Sequence, residues 1–76
     1  MDIVIGGVYK HFKGNLYRVR HVGTHTETGE RMVVYQKWPH GDNIWISPYE
    51  SFVSEVDREK YPDATQDYRF ELVEYA

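Results

Sequence analysis

The chain has 76 residues, contains no cysteine and carries a formal net charge of −3. A chain of this length is expected to form one domain, residues 1–76, and the lack of cysteine excludes a disulfide framework and a thiolate metal site. Because a small core needs most of the large side chains, a deep catalytic cavity that excludes water is not expected. Residues 1–38 hold six basic and three acidic side chains, whereas residues 39–76 hold three basic and nine acidic ones. The protein can therefore have one basic face although its net charge is negative.

The first predicted element is a β-hairpin. Val8–Phe12 and Leu16–Thr24 alternate their side chains with the period of two that strands require. Lys13-Gly14-Asn15 lies between them, and glycine and asparagine are the residue types that tolerate a positive φ in a tight turn. Aromatic and basic residues are interleaved along both arms. One face of the hairpin is therefore predicted to carry tyrosine, histidine, lysine and arginine together.

Two more strands follow turn sequences. Thr26–Gly29 is predicted to be a turn with Gly29 in the left-handed conformation, and Glu30–Trp38 the third strand. The cluster Pro39–Asn43 is the next turn, and Ile44–Ser47 the fourth strand.

Pro48 is predicted to stop the fourth strand, since proline lacks the N–H that a ladder requires, and to begin a helical turn with Ser47 as N-cap. Phe52–Val56 is predicted to be either a short fifth strand or an extension of that turn. The polar segment Asp57–Asp67 is predicted to be a mobile loop, and Tyr68–Glu74 the last strand.

The aliphatic composition indicates the fold class. Nine Val and four Ile stand against two Leu and two Ala, and β-branched residues favour strands over helices. Turn signals recur about every 8–12 residues. We therefore predict an all-β fold: a small SH3-like barrel of five to six short antiparallel strands with one helical turn near Pro48, because closure removes exposed edges.

Several motifs occur in order along the chain: Gly7-x-Tyr9-x-His11-x-Lys13-Gly14-Asn15-x-Tyr17-x-Val19, His25-x-x-Thr28-Gly29-Glu30, Val33-Val-Tyr35, Trp45-x-x-Pro48-x-x-x-Phe52 and Tyr68-Arg69-Phe70. Together they resemble the bacterial domain of unknown function numbered 1653, a family of small SH3-like barrel proteins. The resemblance implies the fold and no biochemical activity. Typical members carry an arginine just before the proline, where this chain has Ser47, and the segment from Phe52 to Arg69 is longer and more acidic here.

The interleaved aromatic and basic side chains are the functional signal. The candidate ligand-binding residues are Tyr9, His11, Lys13, Tyr17, Arg18, Tyr35 and Trp45. Small barrels stack bases on such rings and neutralise phosphates with such cations, so single-stranded nucleic acid is the first predicted partner. The alternative is a peptide- or protein-interaction module, in which the rings form a groove and the acidic half selects a basic partner. The same rings could instead fill the core.

Trp45 is flanked by Ile44 and Ile46, so in a strand it must face opposite to both. Either the isoleucines are inside, or Trp45 is inside and both isoleucines are exposed. Since a strand that ends at a proline lies at the rim of a barrel, we expect Trp45 to be partly buried beside Tyr35 or Tyr17, with one ring edge reachable from a groove.

A small enzyme or metal-binding protein is the second alternative. The chain has no G-x-S-x-G elbow, no phosphate-binding glycine loop and no H-x-H or HExxH spacing. His11 and His21 lie on adjacent strands of the hairpin and could share a metal with a carboxylate. The prediction is nevertheless a non-catalytic binding module without a cofactor.

No apolar run approaches the length of a membrane span, and Met1–Ile5 is too short for a signal peptide. A cytoplasmic location without membrane association is therefore expected. The oligomeric state and the identity of the ligand are left open.

Overall fold

The computed structural model describes residues 2–75, and in this range five antiparallel strands form one sheet. The elements are β1 (Val8–His11), β2 (Leu16–Thr24), β3 (Arg31–Lys37), β4 (Ile44–Pro48), α1 (Tyr49–Phe52) and β5 (Phe70–Glu74). The strand order is β4-β3-β2-β1-β5, so the first four strands form a meander and the chain then returns to place β5 beside β1. Within the same range no helix has the length and apolar character needed to cross a membrane.

The sheet curls into a barrel. Tyr35 lies in β3 and Phe70 in β5, and two strands separate them in the sheet, yet their ring centroids are only 5.5 Å apart. Phe52 of α1 is fully buried and contacts both rings, at 5.3 Å from Tyr35 and 4.0 Å from Phe70. The predicted all-β, SH3-like barrel is confirmed, with five strands and one helical turn.

The core consists of buried side chains from four strands and the helical turn: Tyr9, Val19, Val33, Phe52 and Phe70. Tyr9 is only 1% exposed, and its hydroxyl accepts a hydrogen bond of 2.8 Å from the backbone N–H of Val4. A buried phenol needs such a partner, because an unpaired hydroxyl in an apolar core is costly.

The β1–β2 hairpin closes at Gly14, which has a φ of 109°. Its N–H donates to the carbonyl of His11 over 2.7 Å, and the resulting register pairs Tyr9 with Tyr17. Asn15 does not share the positive φ. Gly29, with a φ of 74°, occupies the left-handed conformation predicted for the next turn.

The sequence prediction for the helical turn is wrong in one detail. Pro48 is the last residue of β4, with φ −54° and ψ 139°, and α1 begins one residue later at Tyr49. Because that ψ is extended, Pro48 is the cap and not the first helical residue. The predicted N-cap Ser47 instead donates its hydroxyl to the carbonyl of Pro48, over 3.1 Å.

Beyond α1 the chain pairs only briefly before β5. The helical turn ends at Phe52 with Val53 as its cap, and an isolated antiparallel bridge then joins Glu55 to Tyr68. Phe52–Val56 is therefore neither a full strand nor an extension of the helical turn, so neither predicted alternative describes the whole segment. The last strand starts at Phe70, two residues later than predicted.

Candidate ligand-binding cleft

An open cleft of about 290 Å³ lies on the inner face of the sheet, where the sheet curls towards β5 and α1. Its aromatic lining comes from His11, Tyr17, Tyr35, Trp45 and Phe70, and its polar lining from Ser47, Ser51 and Arg69. We call this site the aromatic cleft.

Strand register brings these residues together. Tyr35 lies directly opposite Trp45 across the β3–β4 pair, and Val33 lies opposite Ser47. Because directly paired residues share a face and residues two apart do so as well, Trp45 and Ser47 face the barrel interior together with Tyr35.

The two alternatives for Trp45 are thereby resolved. Trp45 faces the cleft and is 47% exposed, whereas Ile44 and Ile46 are exposed together on the outer face, at 53% and 63%. The expected position beside Tyr35, with part of the ring reachable, matches the structure.

Edge-to-face contacts hold the inner rings of the cleft in place. The centroid of Tyr17 lies 5.4 Å from that of Tyr35 and 5.9 Å from that of Phe70, with interplanar angles of 86° and 72°. His11 packs on Phe70 at 4.9 Å. Among residues 2–75 Trp45 makes no ring–ring contact. A ligand with a flat ring could therefore stack on Trp45 without displacing an existing partner.

The cleft carries positive charge at its rim. Arg69 is exposed and lines the cleft, and none of the eight lining residues is a carboxylate.

Burial, followed by the charges of Lys13 and Arg69, lowers the pKa of His11, so the imidazole is held neutral at neutral pH. Burial, followed by proximity to Tyr17, raises the pKa of Tyr35, so its hydroxyl stays protonated and can donate a hydrogen bond.

Four of the seven predicted site residues line the aromatic cleft: His11, Tyr17, Tyr35 and Trp45. Tyr9 lies in the core beneath them and offers no surface to a ligand. Lys13 lies in an adjoining cavity that also contains His11. Arg18 follows Tyr17 in β2 and so points to the outer face, where its Nε is buried without a hydrogen-bond partner in the described part of the chain.

The sequence prediction missed Arg69, Phe70 and Ser51 as lining residues. It named Ser47 as a helix cap and as the residue that replaces the arginine of typical family members, but not as a lining residue. A signal for two of them was present, because Tyr68-Arg69-Phe70 is one of the motifs that carries the family resemblance. Arg69 and Phe70 line the cleft because β5 pairs with β1, and this pairing could not be read from the motif itself.

The two hairpin histidines do not converge. His11 lies on the inner face opposite Phe70, whereas His21 pairs with Val34 on the outer face. Within residues 2–75 no three His, Asp or Glu side chains come together in a way that could hold a metal ion.

Fold and cleft together define a small SH3-like barrel with a cleft that is lined by aromatic side chains and has an arginine at its rim. The chain belongs to the family described as "Protein of unknown function (DUF1653)", whose model matches residues 7–72 and so includes the whole cleft. The family resemblance noted from the motifs is confirmed. Comparison with the curated proteins and with the solved structures gave no significant match.

Proposed function

We propose that the protein is a non-catalytic module that binds single-stranded nucleic acid through the aromatic cleft. The observation that carries this proposal is the combination of exposed Trp45, the Tyr17 and Tyr35 rings and Arg69 in one cleft whose lining contains no carboxylate. Base stacking on aromatic side chains and charge neutralisation by arginine are the two interactions that sequence-tolerant single-strand binders combine.

The size of the cleft fits a small unit of such a ligand. Its volume of about 290 Å³ is close to the lower limit for small-molecule pockets, which is near 300 Å³. One base stacked on Trp45, with its phosphate near Arg69, matches this volume and this charge. A cytoplasmic setting, where single-stranded nucleic acid is available, is part of the proposal.

The peptide alternative has less support because no carboxylate lines the aromatic cleft itself; Asp42 lines a neighbouring cavity that shares Trp45, and Asp57 one that shares His11 and Arg69. A basic peptide needs acidic side chains around the aromatic groove, but Glu30 and Glu50 line a different cavity, of about 490 Å³, together with Arg31. There the guanidinium of Arg31 stacks on the ring of Tyr49 at 4.0 Å. A peptide that bound this second cavity would be sensitive to Glu50→Gln and insensitive to changes at Trp45.

Titration with a single-stranded oligothymidylate, followed by isothermal titration calorimetry, tests the proposal. Affinity is expected to fall roughly two- to threefold between about 50 mM and about 200 mM salt for each phosphate that the protein neutralises, because each such contact releases counterions. Binding without salt dependence, or no binding at low salt, contradicts the nucleic-acid proposal.

Two variants locate the ligand. Trp45→Ala is expected to weaken binding roughly tenfold or more, since stacking contributes ~1–3 kcal/mol per base. Arg69→Gln is expected to make the slope of log K against log salt shallower by about 0.7, the contribution of one phosphate contact on a single strand. Ile46→Ala is the matched control, because it removes a neighbouring exposed apolar side chain from the opposite face of β4. A loss of binding in Ile46→Ala equal to that in Trp45→Ala places the ligand outside the cleft.

A further inference from the structure

Two further cavities continue from the aromatic cleft towards the loop that precedes β5. The first, of about 290 Å³, shares His11 and Arg69 with the cleft. The second, of about 340 Å³, shares four side chains with the first: Phe12, Lys13, Lys60 and Tyr61. The three cavities therefore adjoin in series from Trp45 past Arg69 to Tyr61. We call this series the extended groove.

The far end of the extended groove repeats the chemistry of the cleft. The ring of Tyr61 packs edge-on against Phe12, with centroids 4.9 Å apart. The Nζ atoms of Lys13 and Lys60 lie 5.1 Å and 5.6 Å from the centre of the Tyr61 ring. This end, like the cleft, thus combines an aromatic side chain with cations, the pairing that binds a base and its phosphate.

The cations of the groove are not neutralised by direct ion pairs. In the described part of the chain the ion pair within 4.0 Å joins Arg58 to Asp67, over 3.1 Å. Asp57 and Asp63 line the two outer cavities, but the cations Lys13, Lys60 and Arg69 outnumber them. The groove is therefore cationic on a chain whose net charge is −3, which favours an anionic ligand along its length.

The loop that presents Tyr61 is held in place. The guanidinium of Arg58 donates to the backbone carbonyls of Ala64, over 2.6 Å, and Gln66, over 3.2 Å. The buried Gln66 amide in turn donates to the carbonyl of Lys10 in β1, over 3.1 Å. Because these bonds tie the loop to the sheet, Tyr61 occupies a defined position relative to the cleft. The loop therefore loses less conformational entropy when a ligand binds at both Tyr61 and the cleft.

We propose that the extended groove binds one single strand of nucleic acid over several nucleotides, with a base at Trp45, the backbone along Arg69, Lys13 and Lys60, and another base at Tyr61. This inference rests on the proposed function and adds the ligand's form: a strand of at least about four nucleotides, the lower end of the site sizes of small β-barrels. A duplex does not fit this arrangement, because its bases are already stacked and paired.

A comparison of short and long ligands tests the inference. A thymidylate dinucleotide and a thymidylate decanucleotide are titrated against the unaltered protein, Trp45→Ala, Tyr61→Ala and Tyr75→Ala. Cleft occupancy is followed by the fluorescence change of Trp45 in the proteins that keep this residue, and binding to Trp45→Ala is followed by isothermal titration calorimetry. Tyr61→Ala is expected to weaken decanucleotide binding roughly tenfold and to leave dinucleotide binding unchanged, whereas Trp45→Ala weakens both. Tyr75→Ala, which removes an exposed tyrosine outside the groove, is expected to change neither. Lys60→Gln should reduce the salt slope for the decanucleotide alone.

The failure of this inference is distinguishable from failure of the proposed function. If Tyr61→Ala weakens both ligands equally or neither, the extended groove is wrong and the cleft proposal stands. The same holds if the gain of affinity with ligand length is as large in Tyr61→Ala as in the unaltered protein, because the longer strand then gains only additional registers. Equal affinity for a duplex of the same length also overturns the inference. If the unaltered protein binds neither ligand at low salt, the proposed function itself is wrong.

Discussion

The rings of Phe52 and Phe70 lie face to face, with centroids 4.0 Å apart and an angle of 7° between their planes. Phe52 comes from α1 and Phe70 from β5, so this pair joins the helical turn to the last strand. Phe70 also lines the aromatic cleft. One ring of the contact that closes the barrel is therefore also part of the wall of the cleft, so a change at Phe70 alters both the packing of the core and the shape of the cleft.

Phe52→Ala is expected to lower the free energy of unfolding by about 3–5 kcal/mol, the cost of removing a fully buried phenylalanine. Urea denaturation followed by far-UV circular dichroism measures the change. Val73→Thr is the control, since Val73 is exposed in β5 and threonine keeps the β-branched shape. The control should stay within about 0.5 kcal/mol of the unaltered protein. An equally small effect of Phe52→Ala contradicts the core position of this ring.

Tyr9→Phe tests the hydrogen bond inside the core. Removing the hydroxyl leaves the N–H of Val4 without its acceptor, so we expect a loss of ~1–3 kcal/mol of stability although the ring stays buried. Amide hydrogen exchange should quicken at Val4 in particular. Tyr68→Phe removes a hydroxyl from a side chain that is 40% exposed and serves as the control. Equal urea midpoints for both variants speak against a stabilising role for the bond.

His11 gives the folded protein a pH dependence. Burial, followed by the charges of Lys13 and Arg69, lowers its pKa below the usual 6.5. The unfolded chain therefore binds this proton more readily than the folded protein does. The contribution of neutral His11 to the free energy of unfolding is therefore fully present above pH 6.5. It declines as the pH falls from there through the lowered pKa.

Urea midpoints measured from about pH 7.5 down to about pH 5 should fall less for His11→Gln than for the unaltered protein. His40→Gln, at an exposed position, controls for the loss of a histidine and should reproduce the original profile. Parallel profiles for His11→Gln and the unaltered protein would show that another group sets the dependence.

Much of the fold could be predicted because its signals are local. The bounds of β2, Leu16–Thr24, are the predicted ones, since alternation and the turn at Gly14 mark where the strand starts. Alternation also places Val8 and Tyr9 on opposite faces, yet both are buried. The pairing of β1 with β5 is irregular between these two residues, and β1 is covered on both sides there.

The cleft could be predicted only in part. Tyr35 and Trp45 meet because neighbouring strands of a meander pair in a register that turn spacing already constrains. Arg69 reaches the same cleft through β5, which pairs with β1 from the far end of the sequence. No local pattern encodes that return, so the motif that contains Arg69 could be recognised in the sequence but the position of Arg69 in the cleft could not be predicted.

Ser47→Arg should strengthen binding of single-stranded nucleic acid. Ser47 lines the cleft together with Arg69, so the substitution places a second cation there, and the family resemblance implies arginine at this position in typical members. The slope of log K against log salt is expected to steepen by about 0.7. Thr24→Arg adds the same charge at an exposed end of β2 outside the cleft. If both variants gain the same affinity for the nucleic acid, the added net charge explains the effect and the position of the cation in the cleft does not.

Pro48 has a consequence for the solubility of the protein. In the described part of the chain β4 pairs only with β3, so its other edge can accept a strand from another molecule. Ile44 and Ile46 are exposed beside that edge, and no residue of Ile44–Pro48 is charged. A proline at the end of the strand interrupts such pairing because it has no N–H to donate. Pro48→Ala should therefore increase light scattering in concentrated solutions more than Pro62→Ala does. The proline that ends the strand beside the cleft would then also protect the protein from aggregation through that edge.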